Sequence, residues 1–115
     1  MKENLIKDKS FDFALKIIDL YKILVESKRE FVLSKQLLRS GTSIGANLRE
    51  AEYAISKKEF VAKTQIALKE AAETEYWLDL LYQSAYITVD QNMKEEIKSI
   101  IRILTAIIKT SKENI

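Results

Sequence analysis

Three sets of polar side chains in this sequence have the types and the spacing to do chemistry. Arg39, Ser43, Asn47 and Glu50 advance by four, four and three. On a helix that rhythm puts a guanidinium, a hydroxyl, an amide and a carboxylate on one face. Such a face can bind a polar ligand or tie two helices together. Glu70 and Glu73, with Glu75 nearby, are spaced like the carboxylates of di-iron helical bundles. Lys94, Lys98 and Arg102 fall at i, i+4 and i+8, with Lys109 and Lys112 beyond them, a positive stripe able to follow phosphates.

Composition removes several of these chemistries. A di-iron centre needs a Glu-x-x-His motif on each of two helices, and the chain has no histidine. The same absence takes away the commonest general base and the hydrolase triad. With no cysteine there is no thiol nucleophile, thiolate metal site or disulfide. The two glycines, Gly41 and Gly45, make neither a GxGxxG nor a GxxxxGK[ST] phosphate loop. The sequence therefore points to a non-enzymatic protein with no catalytic residue, no cofactor, no metal and no small-molecule substrate. The ladder Arg39, Ser43, Asn47 and Glu50 reads as a structural hydrogen-bond network, with Glu73 answering from the facing helix. Taken alone, the basic stripe only keeps a helix wet. Glu95, Glu96 and Glu113 dilute it, and a net charge of +2 is small for a protein that binds nucleic acid through bulk charge.

The elements that must carry these residues are helices. The chain has no proline and only two glycines, little vocabulary for tight turns between strands. Residues 1–9 read as a flexible arm, and Ser10 as the N-cap of a first helix with two apolar seams. One seam is Phe11, Ala14, Ile18, Tyr21 and Val25; the other is Phe13, Ile17, Leu20 and Leu24. Ser27 to Glu30 form a polar link, and a second helix begins near Phe31 with the stripe Leu37, Ser40, Ile44, Leu48, Ala51 and Ile55. Gly41 and Gly45 each cost roughly 1 kcal/mol against Ala inside a helix, so they mark close backbone packing or a local break.

Ser56 followed by Glu59 is a capping box that opens the third helix. Phe60, Thr64, Ala67, Ala71, Thr74, Leu78, Leu81 and Ala85 then repeat at fours and threes, a bundle seam. Asp90 caps a fourth helix whose stripe is Met93, Ile97, Ile100, Leu104 and Ile107. Short links between long helices give an all-α, antiparallel up-down-up-down four-helix bundle over residues 10–115. Trp77, Tyr82, Tyr86, Ile103 and the doubled stripes exceed what one small core can hide. That surplus implies a partner surface, most simply for a second copy of the chain. Leu5 and Ile6 are too short a run for a signal peptide or a membrane span, which suggests a cytoplasmic protein.

The run RSGTSIGANLREA, followed about twenty residues on by IALKEAAETEYWL, resembles the four-helix bundle family of proteins encoded in intervening sequences of bacterial 23S rRNA. The matching positions are Arg39, Ser40, Ser43, Ile44, Asn47 and Glu50, then Ala67, Glu73 and Leu78. The chain departs from the family at Ala51 and at Lys69-Glu70, where glycine or Gly-Ser is common. The resemblance implies a homopentameric ring. Through a relative, the accessory variability determinant of diversity-generating retroelements, it also implies RNA or ribonucleoprotein as a partner for Lys94, Lys98, Arg102, Lys109 and Lys112. The alternative is a protein–protein assembly module with no nucleic-acid role, touching its partner through Trp77, Tyr82 and Tyr86.

Overall fold

The apolar stripes of the sequence become four helices: α1 (Lys2–Glu26), α2 (Leu33–Glu52), α3 (Lys57–Gln83) and α4 (Gln91–Glu113). The structure, a computed structural model, describes residues 2–88 and 91–114. Each helix packs on its neighbours in sequence and α4 closes on α1, so α1 and α3 lie across a diagonal. Short reversals between long helices make this an antiparallel up-down-up-down bundle. Its centre is fully buried: Phe13, Ile17 and Leu24 of α1, Leu37 and Ile44 of α2, Leu81 of α3, and Ile97, Ile100 and Leu104 of α4.

Small side chains hold α2 close to both neighbours. The buried Ser40 and Thr74 hydroxyls are hydrogen-bonded at 2.9 Å between α2 and α3. Ala67 and Ala71 continue the same thin seam along α3. On the α1 side, a Cβ added at Gly41 would stand 2.9 Å from both Cγ atoms of Ile17. Helix α2 runs unbroken through both glycines, so Gly41 marks close packing rather than a break.

Several expectations are corrected. Residues 2–9 are the first turns of α1, not an arm, because Ile6 lies seven residues before Phe13 and joins the core at 2% exposure. Lys7 donates to the Glu52 carboxylate at 2.8 Å, tying the same turn to the end of α2. Ser10 is therefore mid-helix, its hydroxyl donating to the Lys7 carbonyl at 3.0 Å. Of the two seams on α1, only the one containing Phe13, Ile17 and Leu24 is core; Phe11 of the other is 58% exposed. Ile55 and Ala85 fall beyond their helices. Ile55 is 94% exposed, and Ala85 adopts a left-handed φ of 68° past the end of α3. The capping box is half closed: Ser56 Oγ accepts from the Glu59 N–H at 3.0 Å, but the Glu59 carboxylate accepts from the Ile55 N–H at 3.4 Å. The proposed cap Asp90 lies outside the described residues.

The start of α2 is made by a residue the sequence did not single out. Arg29 turns through φ 58°, bringing Glu30 back under the helix end. The Glu30 carboxylate, 7% exposed, accepts from the N–H groups of Val32 at 3.2 Å, Leu33 at 3.0 Å and Ser34 at 2.6 Å. Those are orphan donors of a helix N-terminus, where negative charge is favoured. Burial raises the Glu30 pKa. The N–H groups of Leu33, Ser34 and Val32, with the Ser34 side chain, outweigh that and leave it below the ordinary value. A lowered folded pKa contributes stability that is complete above the unfolded carboxyl value of about 4.3 and is lost as pH falls through the folded one. Glu30→Ala should cost about 1–2 kcal/mol in chemical denaturation at neutral pH and flatten the acid side of the stability profile. An unchanged acid limb would show that the carboxylate is not the cap.

Candidate functional site

The ladder on α2 divides into pairs rather than forming one network. Arg39 donates to both Glu70 and Glu73 of α3, at 3.3 Å to the former, and the Glu73 carboxylate also accepts from the Trp77 indole N–H at 3.0 Å. About three turns along α2, Lys63 of α3 donates to Glu50 at 2.8 Å. Ser43 and Asn47 do not cross between helices. Their side chains donate to the carbonyls of Arg39, at 2.5 Å, and Ser43, at 2.9 Å, on their own helix. The pairings of Arg39 and Glu50 therefore lie between α2 and α3 of one chain. The Trp77 N–H holds the Glu73 carboxyl below the usual carboxylate range, desolvation opposes it, and the Arg39 guanidinium adds to the lowering.

Trp77 and Glu70 are the members that sequence spacing did not assign to this cluster. Glu73 and Trp77 are four apart on one helix, a spacing that could have revealed the pair. Trp77 packs edge-on to Tyr76 with ring centroids 5.3 Å apart and is half-buried, so its polar end is already occupied.

The basic stripe of α4 is a different environment. Lys94 is paired with Asp79 of α3 at 3.4 Å. Lys98, Arg102, Lys109 and Lys112 are exposed and make no ion pair with the described residues. They follow one side of α4, turned away from Met93, Ile97, Ile100 and Leu104 in the core. From Lys94 to Lys112 the stripe spans about 27 Å at 1.5 Å per residue. Glu96 does not neutralise it, because its carboxylate takes Lys16 of α1. Near the start of α2, Arg29 is occupied over the Phe31 ring at 5.3 Å.

A groove of about 620 Å³ lies between α1 and α2, walled by Phe11, Leu15 and Ile18 and floored by Ala14, Gly45 and Ala46. Among the described residues no group of three or more His, Cys, Asp or Glu side chains could hold a metal ion. No helix built from them is long and apolar enough to cross a membrane.

Residues 2–106 match the 23S rRNA-intervening sequence protein family. Among solved structures, the chain is similar to a protein of unknown function from the S23 ribosomal protein family of Bacteroides thetaiotaomicron VPI-5482. The two are 56% identical and superpose with a TM-score of 0.92, over 95% of this chain and 99% of the other. No curated protein matches.

The half-exposed setting of Arg39 and the local bonds of Asn47 limit what each contributes to folding. Exposed ion pairs are worth about 0.2–1 kcal/mol. Arg39→Leu and Asn47→Leu should each lower unfolding free energy by no more than about 1 kcal/mol in urea titrations. Loss of the folded state in either variant would show that the ladder carries the α2–α3 contact.

Proposed function

We propose that this chain, which belongs to the 23S rRNA-intervening sequence protein family, is a non-enzymatic, self-associating scaffold that binds RNA along the outer side of α4. The observation that carries the reading is the unpaired stripe Lys98, Arg102, Lys109 and Lys112. Cations held in a row on a rigid helix, without carboxylate partners, suit a phosphate backbone and carry no base specificity. The stripe reads RNA as a polyanion. Self-association multiplies it, and a ring of five, the form implied by the family resemblance, would join five such rows. That multiplication offsets the modest net charge of +2 on one chain. The reading places the protein in the cytoplasm.

Titrating a fluorescently labelled structured RNA at several salt concentrations tests this. Four phosphate contacts per chain predict a log–log salt slope of about −3. Lys98→Gln with Arg102→Gln should weaken binding and make the slope shallower by about 2, leaving the helical circular dichroism unchanged. No binding at low salt, or binding indifferent to salt, would overturn the reading and favour a protein–protein assembly module.

A further inference from the structure

Two exposed surfaces carry large apolar side chains that nothing within one chain covers. On α1, Phe11 and Leu15 are 58% and 49% exposed and, with Ile18, wall the groove against α2. On α3, Ile66 and Tyr76 are 38% and 57% exposed, with Lys69 between them in the same outward stripe. Asp12 and Lys69 make no ion pair with the described residues, whereas Lys7, Lys16 and Lys63 are each held by a glutamate.

Contacts on the two sides of α2 fix the level of each residue along the bundle. Toward α1, Gly45 lies against Ser10 and Gly41 against Ile17. Toward α3, Ser40 bonds to Thr74 and Glu50 to Lys63. Gly45 stands midway between Ser40 and Glu50, so Ser10 is level with Leu68, midway between Lys63 and Thr74. By the same reasoning Gly41 puts Ile17 level with Glu73. Phe11, Leu15 and Ile18 therefore occupy the same stretch of the bundle as Ile66 to Tyr76, and Asp12 is within one helical turn of the level of Lys69.

We infer that α3 of one copy docks on α1 of the next, parallel to it, along the rim of the α1–α2 groove. Helices α1 and α3 run in the same direction within the bundle. Rotation about an axis along the helices keeps that direction and the level of every residue. It brings Ile66 and Tyr76 onto Phe11, Leu15 and Ile18, and Lys69 onto Asp12. Within one chain α1 and α3 sit across the diagonal and cannot make this match. The α3 stripe lies on the side turned toward α2, where Glu73 takes Arg39, and the groove opens on the other side of α2. The two surfaces thus lie on adjacent sides of the bundle, roughly a right angle apart, and a head-to-tail contact with that turn closes into a small ring such as the ring of five. Helix α4, diagonal to α2, then stays on the outside of the ring, with its cations clear of the contact.

This inference rests on the self-association proposed above, and one series of measurements separates the two. Light scattering on the full chain should give a mass above one subunit. Leu15→Glu and, separately, Ile66→Glu put a charge into the apolar centre of the contact and should each weaken association at least about tenfold. Both side chains are exposed, so circular dichroism should stay native. The register is tested by cross-linking, since the chain has no cysteine of its own. Asp12→Cys with Lys69→Cys in one chain, treated with a short bis-maleimide, should join copies to one another. A native protein that is monomeric at all concentrations overturns both self-association and this surface. A native oligomer whose mass is indifferent to the two glutamates overturns the surface alone, as does an oligomer of native mass in which the two cysteines do not cross-link.

Discussion

The bundle depends on how closely α2 can approach its neighbours at its midpoint. Ser40 and Gly41 occupy consecutive positions, one facing α3 and the other α1, and both are buried. A hydroxyl pair replaces bulk on one side, and a missing Cβ makes room for Ile17 on the other. Helix backbones packed this closely leave little space for large side chains, which is why α3 opposes α2 with Thr64, Ala67, Ala71 and Thr74. The large residues gather instead around α4, where Ile97, Ile100 and Leu104 fill the opposite side of the core. Thin and thick seams together fix which faces of each helix remain outside.

Much of this was legible in the chain because the strongest signals were periodic. Met93, Ile97, Ile100, Leu104 and Ile107 repeat at helical spacing and are buried, as are the α3 residues from Thr64 to Leu81 that share one stripe. Periodicity says less about where a helix stops. Ile55 and Ala85 fit their stripes yet lie past the ends, since Glu52 and Gln83 are the last helical residues before the turns. At the N-terminus a single core residue, Ile6, organises a charged segment, and one apolar side chain makes no pattern by itself. Glu30 escaped because its role depends on the left-handed turn at Arg29, which Arg does not advertise as a glycine would. The polar ladder was legible as a face, but spacing could not tell residues that reach across, such as Arg39 and Glu50, from those that bond to their own helix, such as Ser43 and Asn47.

The outer surface separates by charge and by use. Arg39, Glu50, Lys63 and Glu73 are consumed between α2 and α3, and Lys16 and Glu96 between α1 and α4. Along α4, Lys98, Arg102, Lys109 and Lys112 make no ion pair with the described residues. An amphipathic helix needs polar residues outside only to stay solvated, which demands no particular order among them.

The closeness of α2 to α1 is tested most directly by comparing the unfolding free energies of Gly41→Ala and Gly45→Ala. Both remove a helix glycine, so propensity alone favours both by up to about 1 kcal/mol. Their surroundings differ: the new Cβ at Gly41 would meet the Ile17 side chain at 2.9 Å, whereas at Gly45 it would rest 3.4 Å from Ser10 Oγ. Gly41→Ala should lose about 1–2 kcal/mol through overpacking, and Gly45→Ala should be neutral or gain. If Gly41→Ala were as stable as the native protein, the close approach would not be the constraint on which the bundle is built.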